Sequence, residues 1–157
     1  MTKPIKRHQA MVSFSKDHHF GLLLVWKIRQ GLQKSVAPER IAGYVRFFFE
    51  ADLAKHFSDE EQLLFSRLAE TDVLRVQAEK EHATIYQLVK DIGQQPTDGS
   101  LLTQLADALE QHIRFEERSL FNHLQQHIPE AELQAIENRI SNNSQEIEAQ
   151  WKDSFWS

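Results

Sequence analysis

The 157-residue chain contains no cysteine, which excludes disulfides, thiolate catalysis, iron–sulfur clusters on its own side chains and any zinc site that needs sulfur. A metal held by this chain must sit on imidazole, carboxylate or water. Only five glycines and four prolines occur, with few β-branched runs, so there is little punctuation for a sheet and the expected fold class is all-α. Long apolar runs are missing as well. The longest, Leu22 to Trp26, is far too short to cross a bilayer, and Met1 to Ala10 carries three basic residues without an apolar stretch of signal-peptide type. A cytoplasmic location is expected. Basic runs are also lacking: 18 Lys and Arg stand against 23 Asp and Glu, a net charge of −5. That balance offers no footprint for nucleic acid or an anionic membrane, and neither is expected as a partner. What is present, 41% hydrophobic and 26% charged residues, excludes a disordered chain and suits a single domain over residues 1–157.

Apolar periodicity divides the chain into helices. From about Ser13 to Lys34, Phe14, His18, Leu22, Val25 and Leu32 recur at helical spacing. Pro38 fits the first position of a second helix, with Glu39 at its positive end, and Ile41, Val45, Phe48 or Phe49, Leu53, His56, Glu60 and Leu64 continue one face to about Ala69. Thr71 is the expected cap of a third helix with the stripe Val76, His82, Ile85 or Tyr86, Val89 and Ile92. Asp98 or Ser100 would cap a fourth, carrying Leu101, Leu105, Ala108 or Leu109, His112, Glu116, Leu120 and Leu124 up to Ile128. Short connections make an antiparallel up-down four-helix bundle the natural packing. Beyond Pro129, the residues Ala131, Leu133, Ile136, Ile140 and Ile147 predict one additional C-terminal helix, lying on the bundle or in a homodimer contact. Trp151, Phe155 and Trp156 are too apolar to stay in water and are expected to dock as an anchor.

The informative feature is a repeat. His56-Phe57-Ser58-Asp59-Glu60-Glu61-Gln62-Leu63-Leu64-Phe65 and His112-Ile113-Arg114-Phe115-Glu116-Glu117-Arg118-Ser119-Leu120-Phe121 share the order His, three residues, Glu-Glu, two residues, Leu-Phe. One helix before each stands an acidic-His pair, Asp17-His18 and Glu81-His82, so the chain reads as two related helical hairpins. Residues four apart on a helix lie one above the other, which aims His56 with Glu60, and His112 with Glu116, in one direction. The flanking Leu53, Leu64, Leu105 and Leu120 make that direction inward. Two carboxylates in one core repel and each costs several kcal/mol to bury unpaired; cations resolve both problems. Four His and two Glu suit a pair of first-row metal ions with the carboxylates between them. His18 is favoured over His19 because it shares the stripe of Phe14 and Val25. Glu61 and Glu117 are read as charges at the border of the site or in solvent, and His8, His123 and His127 lack a partner pattern.

On these motifs the chain resembles a hemerythrin-type cation-binding domain, the His-His-Glu class of four-helix bundles, over roughly residues 13 to 128. The resemblance implies two non-haem iron ions, with His18 and His56 on one, His82 and His112 on the other, and Glu60 and Glu116 bridging; zinc or manganese would suit the same donors. Oxygen carriers of the family have a further His one turn before the third-helix ligand, where this chain has Ala78. It is therefore similar to members with four His and two Glu and one open coordination position, with Glu79 or Tyr86 as candidates to fill it. The implied partner is a small diatomic molecule, O2 or NO, bound for carriage, buffering or sensing; an enzyme or iron donor in stress repair, and a structural metal bundle, are the alternatives.

Overall fold

The computed structural model describes residues 6–157; the first five residues, part of the N-terminal stretch expected to lack a signal peptide, lie outside the described residues. The described residues form helices and connecting turns, without a strand. Helix α1 is Gln9–Gln33. It starts earlier than the periodicity suggests because His8, with its Nδ1 accepting from the Ala10 N–H, caps it. Helix α2 spans residues 38–67 and opens with Pro38 in the first turn, as expected. Helix α3 is Val73–Gln94, capped by the Asp72 carboxylate on the Leu74 and Arg75 N–H groups rather than by Thr71. Helix α4 spans residues 99–127 behind an Asp98 cap. The rods pack in a ring, α1 on α2, α2 on α3, α3 on α4 and α4 on α1, the last contact being the most extensive.

Two of the rods are not plain α-helices. In α2 wide π-turns occupy Phe49–Leu53 and Glu60–Leu64, and in α4 Glu116–Leu120. The latter two begin at the repeated Glu. Their extra residue brings the fifth residue onward into line: the Phe65 N–H donates to the Glu60 carbonyl and the Phe121 N–H to the Glu116 carbonyl. The Leu-Phe ends of the two sequence motifs therefore lie directly beneath their Glu, in the core.

Two expected stripe residues face outward. Leu22 is 40% and Val76 49% exposed, while Gly21, Leu24, Ala78 and Leu88 face inward in their stead. The expected single C-terminal helix is two short ones, α5 (Glu130–Glu137) and α6 (Ser144–Ala149). The break has a cause in Asn142, whose amide leaves the helical path to donate to the Ser13 carbonyl and to Asp17. No helix among the described residues is long and apolar enough to cross a membrane.

The aromatic tail docks as expected, and it does so around a buried cation. Lys27, on α1, ion-pairs with Glu148 and donates to the Tyr44 hydroxyl at 3.3 Å, with the Trp156 ring 3.7 Å from its ammonium. Tyr44 donates in turn to Glu148, and Arg40 forks onto Asp153. Gly31 leaves room for this packing: a Cβ there would stand 2.8 Å from Ile41 Cδ1 and 3.0 Å from the Phe155 ring. Burial pulls Lys27 down to about 8. Glu148→Ala is expected to destabilise the metal-free protein by about 3 kcal/mol, whereas Lys27→Met, which keeps the volume and removes the charge, costs less; urea titration of both variants checks the order.

Candidate metal centre

The six residues singled out in the sequence converge at the centre of the ring of rods, and all are buried: Glu60 and Glu116 completely, His82 and His112 at 1% exposure, His18 and His56 at 5%. Glu60 Oε1 lies 3.4 Å from His56 Nε2 and 3.3 Å from His82 Nε2. Glu116 Oε1 lies 3.0 Å from His18 Nε2 and 3.3 Å from His112 Nε2. Two overlapping groups result, His18, His56, Glu60, Glu116 and Glu60, His82, His112, Glu116, whose ligand atoms lie within 4.8 Å of one another. Both carboxylates belong to both groups.

A second tier of carboxylates fixes the histidines. Asp17 of α1 accepts from His56 Nδ1 of α2 at 2.9 Å, and Glu61 of α2 from His82 Nδ1 of α3 at 2.9 Å. Glu81 of α3 accepts from His112 Nδ1 of α4 at 2.7 Å, and Glu117 of α4 from His18 Nδ1 of α1 at 2.8 Å. Each rod thus orients the imidazole of the next, and the cycle closes. A carboxylate only accepts, so each Nδ1 carries a proton and it is Nε2 that each ring turns inward, as a lone pair wherever the ring is neutral. Glu61 and Glu117, whose place between site and solvent the sequence leaves open, are hydrogen-bonded to these histidines. The signal that could have revealed the cycle is adjacency: every one of these acids is next in sequence to a proposed ligand.

Further braces hold this tier. Asn142 and Ser144 donate to Asp17, Arg7 pairs with Glu117 and donates to its carbonyl, and Gln77 donates to Glu81. Phe121 stacks on His18 with ring centroids 5.3 Å apart, and Phe57 on His82 at 3.9 Å.

The electrostatics are those of a site lacking its counter-charge. Burial and the neighbouring Glu116 push the Glu60 carboxyl well up, while Glu116, against its own burial, is held well down by His112, Glu60 and His18. Burial opposes the charged forms of His18 and His112, but Glu116 with Glu117, and Glu116 with Glu81, outweigh it and lift both rings to about 9. In His82 burial wins and the ring is pushed down. His56 Nε2, His82 Nε2, His112 Nε2, both Glu60 oxygens and Glu116 Oε2 are buried without a hydrogen-bond partner among the described residues. Buried polar atoms are rarely left so, and a shared set of lone pairs aimed at one point is the arrangement that cations satisfy.

The remaining candidates stand apart. His19 is exposed, its ring against Phe20. Glu79 pairs with Arg75 at 3.2 Å, and Tyr86 packs on Phe49 and Phe57; neither belongs to the two ligand groups. His8 holds Glu130, His123 holds Asp72, and His127 donates to the His123 carbonyl.

A helical protein with buried, carboxylate-linked histidines at its centre has a core that fits a cation-binding site. The family model of the hemerythrin HHE cation-binding domain matches residues 12–124, and the chain belongs to that family. No curated protein and no solved structure matches the chain significantly.

Proposed function

We propose that the chain holds two iron ions in an antiparallel up-down four-helix bundle, through His18, His56, His82, His112, Glu60 and Glu116, and binds a small diatomic molecule, O2 or NO, for carriage, buffering or sensing. The observation that carries this reading is the pair of four-residue groups that share both carboxylates, with inward atoms left without protein partners. His18 and His56 would hold one ion, His82 and His112 the other, and Glu60 and Glu116 would bridge them. When bound, the iron pair would supply the electrons that a diatomic ligand draws on.

The chain's own residues do the rest. Asp17, Glu61, Glu81 and Glu117 hold the four rings in one tautomer and strengthen them as donors. Phe14, Phe57, Phe65 and Phe121 line the site with apolar rings, which excludes water and limits proton leakage. Ala78, fully buried one turn before His82, offers no donor atom, which supports an open ligand position in the centre.

The test is an absorption spectrum of the iron-loaded protein, reduced without air, then aired and evacuated. A visible band that comes with air and leaves under vacuum is expected. An irreversible change would favour oxidase-like or repair chemistry, and a colourless protein holding zinc or manganese would favour a structural role.

A further inference from the structure

We propose that the groove between α2 and α3 is the entrance for the diatomic ligand, and that Tyr86 is its gate. The inference rests on the ligand reading above and assigns its route. A cavity of about 500 Å³ opens between these rods, lined by the apolar Ala42, Val45, Phe49, Val89 and Ile92 and by Tyr86, with Glu39, Arg46, Glu50 and Lys90 also on its wall. The apolar part of this lining admits an uncharged diatomic and disfavours ions and ordered water.

Two rings, Tyr86 and Phe57, link this cavity to the histidines of the metal centre. Tyr86 meets Phe49 edge-to-face at 5.2 Å and Phe57 at 5.8 Å, and Phe57 lies flat on His82 at 3.9 Å and edge-on to His112 at 5.6 Å. Tyr86 is 37% exposed, so its ring has solvent to swing into. The assignment also gives a purpose to the π-turn Phe49–Leu53, which, unlike the other two, starts at no proposed ligand: it begins at the residue against which Tyr86 rests.

On the opposite half of the centre no apolar cavity of this kind is found among the described residues. Phe121 covers His18 and Phe14 abuts His56, while Arg7 pairs with Glu117 and Asn142 and Ser144 hold Asp17. A second cavity lies outside that half, but it is bordered by Lys16, Asp17, Asn142 and Glu146, and what it reaches is Asp17 rather than the inward nitrogens.

The experiment has two arms. In the metal-free protein, xenon is expected to occupy the groove, seen by NMR shifts of the Val45, Val89 and Ile92 methyls, and to be lost in Val89→Trp. In the iron-loaded protein, stopped-flow NO association is expected to slow about tenfold in Val89→Trp and to quicken about tenfold in Tyr86→Ala, at unchanged iron content. Xenon seated elsewhere, or NO rates unchanged in both variants while wild type takes up NO, would overturn the route alone. No NO or O2 uptake by iron-loaded wild type would overturn the ligand reading itself, and the route with it.

Discussion

Glu116→Ala is expected to cost the protein at least one of the two metal ions proposed for it, and Glu60→Ala to do the same, measured by elemental analysis after loading and desalting. Each carboxylate stands between two histidines from different halves of the centre, Glu60 between His56 and His82, Glu116 between His18 and His112. Removing either takes a donor from both four-residue groups at once and would leave one carboxylate, instead of two, to offset the charge of two dications. The thermal stability added by metal should fall accordingly, since a site filled at 1,000 times its dissociation constant contributes about 4 kcal/mol. Two ions retained in both variants would contradict the bridging assignment. Glu39→Ala, far out on the surface at the start of α2, is the control and should keep both.

The second large effect is a divergence of metal-free and metal-loaded stability with pH. In the metal-free protein His18 and His112 are raised from 6.5 to about 9, so the fold favours their charged forms. That stabilisation is complete below pH 6.5 and disappears as pH climbs through about 9. A raise of this size is worth about 3 kcal/mol for one histidine, and less than double for the two because both lean on Glu116. Metal binding runs the other way, since it needs the neutral ring and releases the proton. The melting temperature of the chelator-treated protein should therefore fall between pH 6.5 and 9, while the gap to the loaded protein widens. On the acid side Glu117 is held down at about 2 by His18 and Arg7 in spite of its burial; its contribution is present above pH 4.5 and fades as pH falls through about 2. Parallel melting curves with pH would mean that these rings do not stand in for the ions.

Much of this was legible in the sequence because it is periodic. The four rods, the Pro38 start, Asp98 as one of two candidate caps (with Ser100) and the inward direction of His18, His56, His82, His112, Glu60 and Glu116 follow from the sequence pattern, and all six side chains are buried in the structure. Leu22 and Val76 were misdirected by the same reasoning, since a stripe of a given width can be drawn one residue to either side and only tertiary packing chooses. Thr71 and Asp72 are both competent caps; the carboxylate that reaches two N–H groups wins. The π-turns left no periodic trace, for one extra residue in a turn is invisible without the hydrogen bonds that define it. The carboxylate cycle is a matter of partners on different rods, which adjacency in the chain hints at but cannot assign. Lys27 is buried inside a helix that also carries an exposed Trp26, and nothing in the order of residues announces Glu148 as its mate, 121 positions later.

The handing of each imidazole to an acid on the neighbouring rod has a temporal consequence. The first rod's own ring waits for Glu117, near the end of the fourth, so no half-built chain carries a finished donor set. As the polypeptide leaves the ribosome, the proposed centre cannot be complete before residue 117 has emerged. A fragment ending before residue 117 lacks the acid that orients His18.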